Sequence, residues 1–328
     1  MELVCPAGGL PALRAAVDNG ADWVYAGLRD DTNARNFPGL NFDPASLAEG
    51  IAYAHRRARK VVLAVNTYPQ SANWARWTGA IDRAAALGVD AVILADPGLM
   101  RYASRCHPGL ELHLSVQGSA TSYEALNFFH EHFGVRRAVL PRVLSVAQVE
   151  QVARRTPVEI EVFGFGGLCV MAEGRCSLSG YACGESPNTA GACSPAWAVR
   201  WKETPAGLES RLNGVLIDRY AQGERAAYPT VCKGRYRAGD QVYYAFEEPV
   251  SLNTLELLPK FRAIGVRAVK IEGRQRSPVY VAQVTRVWRE AIDTLKNAGK
   301  LKPEWLAQLA RHAEGAQCTL GAFSRPWK

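Results

Sequence analysis

Short apolar, β-branched runs alternate along this chain with longer stretches in which apolar residues recur at helical spacing. The runs Glu2–Pro6, Trp23–Leu28, Val61–Asn66, Ala91–Ala95, Glu111–Ser115, Ala138–Pro141, Ile160–Gly164 and Ala268–Ile271 predict strands. The stretches Leu10–Asn19, Pro44–Arg59, Trp74–Leu87, Tyr123–His132 and Val146–Arg155 predict the clearest helices. Strand starts recur at intervals of ~20–40 residues, the rhythm of βα units. Eight such strands predict an α/β fold, a TIM-like (β/α)8 barrel. An open, doubly wound sheet is the other arrangement this pattern allows.

The rhythm breaks twice, before the eighth strand and in the tail after Lys300. Roughly 100 residues separate the seventh strand from the eighth, where a βα connection normally takes a few residues around one helix. The chain therefore divides into barrel strands one to seven (1–167), an inserted subdomain (168–266), and the last strand with C-terminal helices (267–328). The insert holds a turn-rich stretch, Gly184–Pro195, and a hairpin pattern, Tyr236–Phe246, with Ala238-Gly239-Asp240 at its tip. Lys302-Pro303-Glu304-Trp305 starts a closing helix.

Composition adds little to this outline: 48% hydrophobic and 21% charged residues in 328 describe an ordinary globular chain. The charge is more informative. The net +8 is concentrated at Lys260–Lys328, where 14 Lys/Arg face 5 Asp/Glu, leaving −1 for the preceding 259 residues. A basic C-terminal third suits an anionic substrate, RNA, a membrane or protein partner, or a solvated helix face. The start Met1-Glu2-Leu3 lacks a basic leader region, and no apolar run reaches the ~18 residues of a membrane span. A cytoplasmic location is expected, where structural disulfides are rare.

The eight cysteines then need another explanation, because five fall between Cys169 and Cys232. Soft thiolates bind zinc or iron–sulfur clusters. Structural zinc brings close Cys pairs and ferredoxins bring their own spacings, and neither occurs here. Spacing alone leaves a 4Fe-4S cluster, zinc and unliganded thiols open. Cys5, Cys106 and Cys318 lie in strand-like or helix-like contexts and are expected to be ordinary buried cysteines.

In a barrel the C-terminal ends of the strands build the site. The fifth strand continues through His113, Ser115 and Gln117, and the eighth through Lys270, Glu272 and Arg274, with polar residues at alternate positions. Asn66 and Arg142 follow the third and sixth strands. Arg142, Lys270 and Arg274 suit the carboxylates of an anionic substrate. Glu272 is expected to balance them, paired with Lys270 or Arg274, or to act as a base. His113 is a candidate acid or base. The polar loop Arg29–Asn36, including Arg35, is placed to hold substrate. Full dinucleotide, P-loop, zinc-protease and serine-hydrolase motifs are absent.

The segments Glu161-Val162-Phe163 to Cys169, Glu173-Gly174-Arg175-Cys176 and Lys270-Ile271-Glu272-Gly273-Arg274 resemble the signature of the collagenase-like (U-type) peptidase family. The resemblance extends through nearly the whole chain. It is strongest to the branch that works in O2-independent ubiquinone biosynthesis, through Leu3–Leu10, Asp30–Arg35, Gly184–Pro195, Leu208–Tyr220 and Ser251–Pro259. It implies a 4Fe-4S cluster on Cys169, Cys176, Cys193 and Cys232, with Cys183 outside the set. It also implies a heterodimer with a second member, UbiV, an accessory lipid-binding protein, UbiT, and ring hydroxylation of ubiquinone precursors with prephenate as oxygen donor. The chain departs from the wider family where Phe165 replaces a histidine and where Ser251-Leu252-Asn253-Thr254-Leu255 replaces a Ser-Lys-Asp-Leu pattern. Both changes remove polar groups a hydrolase would use, so peptidase activity is not expected. Other relatives hydroxylate tRNA or rRNA. No ridge of basic and aromatic residues is evident, so nucleic acid is not the expected partner. A non-catalytic cluster-bearing scaffold is the remaining alternative.

Overall fold

The computed structural model describes residues 1–188, 190, 192–315 and 317–325. Positions 189 and 191 of the turn-rich stretch, and 316 and 326–328 of the C-terminal unit, lie outside the described residues.

Eight parallel strands close into a barrel: β1 (Glu2–Pro6), β2 (Trp23–Gly27), β3 (Lys60–Val65), β4 (Ala91–Leu94), β5 (Glu111–Leu114), β6 (Arg137–Val139), β7 (Glu159–Gly167) and β8 (Ala268–Ile271). The ring is sealed where β8 pairs with both β1 and β7. Helices α1 (Leu10–Asp18), α2 (Pro44–His55), α3 (Trp74–Leu87), α4 (Pro97–Cys106), α5 (Tyr123–Phe133), α6 (Val146–Ala153), α7 (Leu258–Ala263) and α8 (Pro278–Lys296) follow in order. This is a (β/α)8 TIM-like fold, and the closed ring excludes the open sheet.

Local chemistry explains most helix starts. Asp43-Pro44, Asp96-Pro97 and Ser277-Pro278 each place a side-chain acceptor at the N-cap and a proline in the first turn. The sequence reading did not single out α4, yet Asp96-Pro97 announces it. Cys106 ends that helix and is exposed, which corrects the expectation that it is buried. Cys5 is buried, and burial pushes its thiol up to about 12. Helix α2 stops at His55, short of Arg59, because Ala58 turns into left-handed backbone (φ 53°).

The main core lies between the strands and the helical ring. A separate apolar layer fills the lumen with Val4, Trp23, Tyr25, Val62, Ala64, Ala91, Ile93 and Ala268. Between Leu168 and Val250 the chain leaves the barrel. It forms an antiparallel sheet of Val199–Thr204, Gly207–Leu212 and Val215–Tyr220, and a hairpin of Arg235–Ala238 with Gln241–Tyr244. Ser251–Asn253 then returns to pair antiparallel with the end of β7, and α7 completes the wall. Phe165 is buried outside the lumen, stacked on Tyr280 at 6.3 Å, so an apolar ring suits that position. A helix Pro303–Ala310 follows α8. Among the described residues, no helix is long and apolar enough to cross a membrane.

Trp288 on α8 is fully buried, its indole against the bare backbone of Gly164 in β7. Trp288→Ala should destabilise the fold by about 3–5 kcal/mol, as large-to-small changes at buried tryptophans do. Urea unfolding followed by far-UV circular dichroism measures it.

Candidate functional site

A cavity of ≈ 580 Å³, counting its open mouth, lies at the C-terminal end of the strands. It is lined by Arg35, Asn66, Gln117, Arg142, Lys270, Glu272 and Arg274, seven of the eight substrate-binding candidates, together with Tyr25, Phe163 and Gln275. His113 is the exception. Its ring packs on Trp23 at 5.2 Å and its Nε2 meets Glu111 at 2.9 Å, so it is turned toward the N-terminal end of the barrel. Burial lowers its pKa, favouring the neutral ring.

Below the cavity the lumen is filled by ion pairs. Lys270 Nζ lies 2.8 Å from Glu161 and 4.0 Å above the Tyr25 ring. Arg137 bonds Glu159 and Glu2 and lies 3.8 Å from Glu161. Burial alone would raise the Glu161 pKa, but Lys270 and Arg137 hold it below the usual range. Lys270 is therefore paired with Glu161, a residue that sequence reasoning did not weigh as its partner.

Glu272 pairs with Arg142 (Nη1 to Oε2, 2.6 Å), which corrects the expected pairing with Lys270 or Arg274. Its position depends on two bare residues: a Cβ on Gly166 (φ 123°) would lie 2.7 Å from that of Glu272, and one on Gly167 3.1 Å from its Oε2. Arg142 also bonds Glu173 (Nε to Oε1, 2.7 Å) and the Gly167 carbonyl (2.5 Å). Burial disfavours the charge of Arg142, but Glu272 and Glu173 more than restore it. Burial raises Glu173, whereas Arg142 and Arg35 outweigh burial at Glu272 and lower it. Glu173 was quoted in a motif but not weighed as a site residue; its place between Cys169 and Cys176 was the available signal.

Asn66 is engaged in tethering. It accepts from Ala34 N (3.0 Å) and donates to Ser115 Oγ (3.1 Å), so it holds the loop that carries Arg35. Arg274 differs from the other cations. It donates to the Asn33 amide (2.6 Å) and lies 5.5 Å from the Tyr25 ring, with no carboxylate at ion-pair distance among the described residues. Burial, followed by nearby Arg35, lowers its pKa to about 10 despite attraction from Tyr25 and Glu272. The buried Gln117 amide oxygen also has no hydrogen-bond partner among the described residues. A buried guanidinium and an unused amide at one cavity suit an anionic ligand that also carries a donor.

The cysteine region adjoins this cavity. Cys193 lies within electrostatic range of Cys169, Cys176 and Cys232, and also of Arg35, Glu272 and Arg142. Burial raises the thiol pKa of Cys169, Cys193 and Cys232. All four are reduced and partly exposed. Among the described residues, no three His, Cys, Asp or Glu side chains are arranged to hold a metal ion. Four neighbouring thiols are soft donors of the kind that zinc and iron–sulfur groups take. Cys183 packs with Ala198, Leu212 and Ile217 in the insert's small core.

The model of peptidase family U32 matches residues 8–325. The chain belongs to that family. It is 32% identical over 316 residues to the tRNA hydroxylation protein P of Haemophilus influenzae, covering 89% of this chain and 67% of that protein. The Collagenase of Porphyromonas gingivalis is 31% identical over 309 residues, covering 90% and 66%. The 23S rRNA 5-hydroxycytidine C2501 synthase of Escherichia coli is 28% identical over 298 residues, covering 90% and 40%. The chain thus spans about two thirds, or less, of these relatives. The names of these relatives divide between RNA hydroxylation and proteolysis.

Arg274→Met should raise the melting temperature by about 2–4 °C, as relief of ~1 kcal/mol of uncompensated buried charge would. Phenylpyruvate, an aromatic carboxylate, should raise the melting temperature of the wild type, and the same variant should lose that stabilisation. Differential scanning fluorimetry with and without phenylpyruvate measures both.

Proposed function

We propose that this chain is a UbiU-type component of an O2-independent hydroxylase. In this reading it carries a 4Fe-4S cluster on Cys169, Cys176, Cys193 and Cys232. It works as a heterodimer with UbiV, beside the lipid-binding UbiT, on ubiquinone precursors. One observation carries the reading: Cys193 is an electrostatic neighbour of three other thiols and of Arg35, Arg142 and Glu272 at the cavity. A cluster bound there would supply one-electron chemistry at the edge of the cavity.

The chain's own residues would do the rest. Arg274 binds a carboxylate of the oxygen donor, for which prephenate is proposed, and Gln117 accepts from its hydroxyl. Asn66 keeps the Arg35 loop over the mouth. Phe163, Tyr25 and Ile93 supply apolar walls for a ring and keep water from it. The neutral, buried setting of His113 and the pairing of Glu272 with Arg142 supply no free base near the mouth. With Glu272 committed to Arg142, the reading does not favour the proteolysis named among the relatives.

The names of two relatives favour a second reading, in which the hydroxylated substrate is RNA. The two readings share the cluster and the anionic donor and differ in the acceptor.

Anaerobically purified protein should be brown and contain about four irons and matching sulfide per chain, as four-thiolate ligation of a 4Fe-4S cluster requires. Cys193→Ala should lose both. A colourless, iron-free preparation with stoichiometric zinc would defeat the cluster. Deletion should abolish ubiquinone only during anaerobic growth. Unchanged ubiquinone there, with loss of a hydroxylated nucleoside and salt-sensitive RNA binding, would favour the second reading.

A further inference from the structure

Arg142 lines the cavity, yet its Nε and Nη1 donors already point elsewhere. Its Nε meets Glu173 at 2.7 Å, and its Nη1 serves both Glu272 at 2.6 Å and the Gly167 carbonyl at 2.5 Å. Its backbone N–H also reaches Glu173 Oε2 at 3.4 Å. The guanidinium lies over Phe163, its Cζ 3.9 Å from the ring centre. A buried cation held between two carboxylates is poorly suited to receive a third.

Glu173 belongs to the loop between Cys169 and Cys176, and that loop has further ties to the barrel. Ser119 Oγ donates to the Glu173 carbonyl. Gly174 sits on the Gln117 carbonyl so closely that a Cβ would come within 1.9 Å of it, and its φ of 84° is left-handed. Residues 173 and 174 are thus seated on the turn Val116–Gly118, which also supplies the cavity's Gln117. Cys169 lies within electrostatic range of both Glu173 and Arg142.

We infer that Arg142 is a positioning residue that fastens the 169–176 cysteine loop to the barrel mouth through Glu173, and does not anchor a substrate carboxylate. Glu272 holds the other side of the guanidinium against the end of β8. The loop and the cavity wall are therefore joined by one side chain. The consequence for a cluster rests on the proposed ligand set; the fastening itself does not.

Arg175 is exposed within this loop and offers a trypsin site. Full-length Arg142→Gln and Glu173→Gln should be cut after Arg175 about tenfold faster than wild type, because local opening of the loop is no longer opposed by the buried pair. Arg142→Lys should fall between. In iron-loaded protein, the same variants should lose absorbance to a chelator about tenfold faster, with phenylpyruvate affinity within about twofold of wild type. Arg274→Gln should show the reverse: unchanged cleavage and bleaching, and lost phenylpyruvate binding. Unchanged cleavage in both Arg142→Gln and Glu173→Gln, or phenylpyruvate binding lost in Arg142→Gln, would overturn the inference. Glu173→Gln keeps the side-chain volume, so it tests the fastening should Arg142→Gln fold poorly. If wild type binds no iron yet the cleavage difference holds, the cluster reading fails and the fastening stands.

Discussion

The seam where β7 hydrogen-bonds to β8 is the constraint on which the site depends. The cysteine-bearing segment departs from the end of β7, while Glu272 and Arg274 leave the end of β8. A register shift beside Ile271 and the bare backbone of Gly166 and Gly167 allow the two exits to lie close together. Arg142, arriving from β6, then reaches both. Barrel closure thus brings residues separated by about 100 positions of chain to one rim, an arrangement typical of barrels with sites at their C-terminal ends.

Charge is distributed with a similar economy. Much of the basic C-terminal third is paired with acids outside it: Arg289 with Asp22, Arg267 with Glu2, Lys260 with Glu150 and Arg325 with Glu247. Within the lumen, Lys270 and Arg137 share Glu161. The formal excess at Lys260–Lys328 is therefore a poor guide to surface potential. Arg274 stands out because its nearest polar partner is the neutral Asn33.

Much of the barrel was legible because its signals are local. Buried parallel strands read as short apolar runs, and β8 was read to the residue. Helix α4 was not singled out because Gly98, Arg101, Ser104 and Arg105 interleave its apolar residues, although its cap was visible. The insert's three-stranded sheet was missed for a related reason: Val199–Thr204 is largely exposed and carries Arg200, Lys202 and Glu203, which hide strand periodicity. At the site, alternation along β5 and β8 marked polar residues correctly as facing inward. It gave no depth along the axis, so His113 looked equivalent to Gln117. Ion-pair partners were not legible because they join strands through the barrel's stagger, as Lys270 does with Glu161.

The filled lumen beneath the cavity has a kinetic consequence. A barrel plugged by Lys270, Glu161 and Arg137 is a blind-ended vessel along its axis, with no passage to the far side. A molecule that enters from the rim must leave by the rim. Anything that binds in the cavity therefore exchanges with solvent at the rim rather than along the barrel axis.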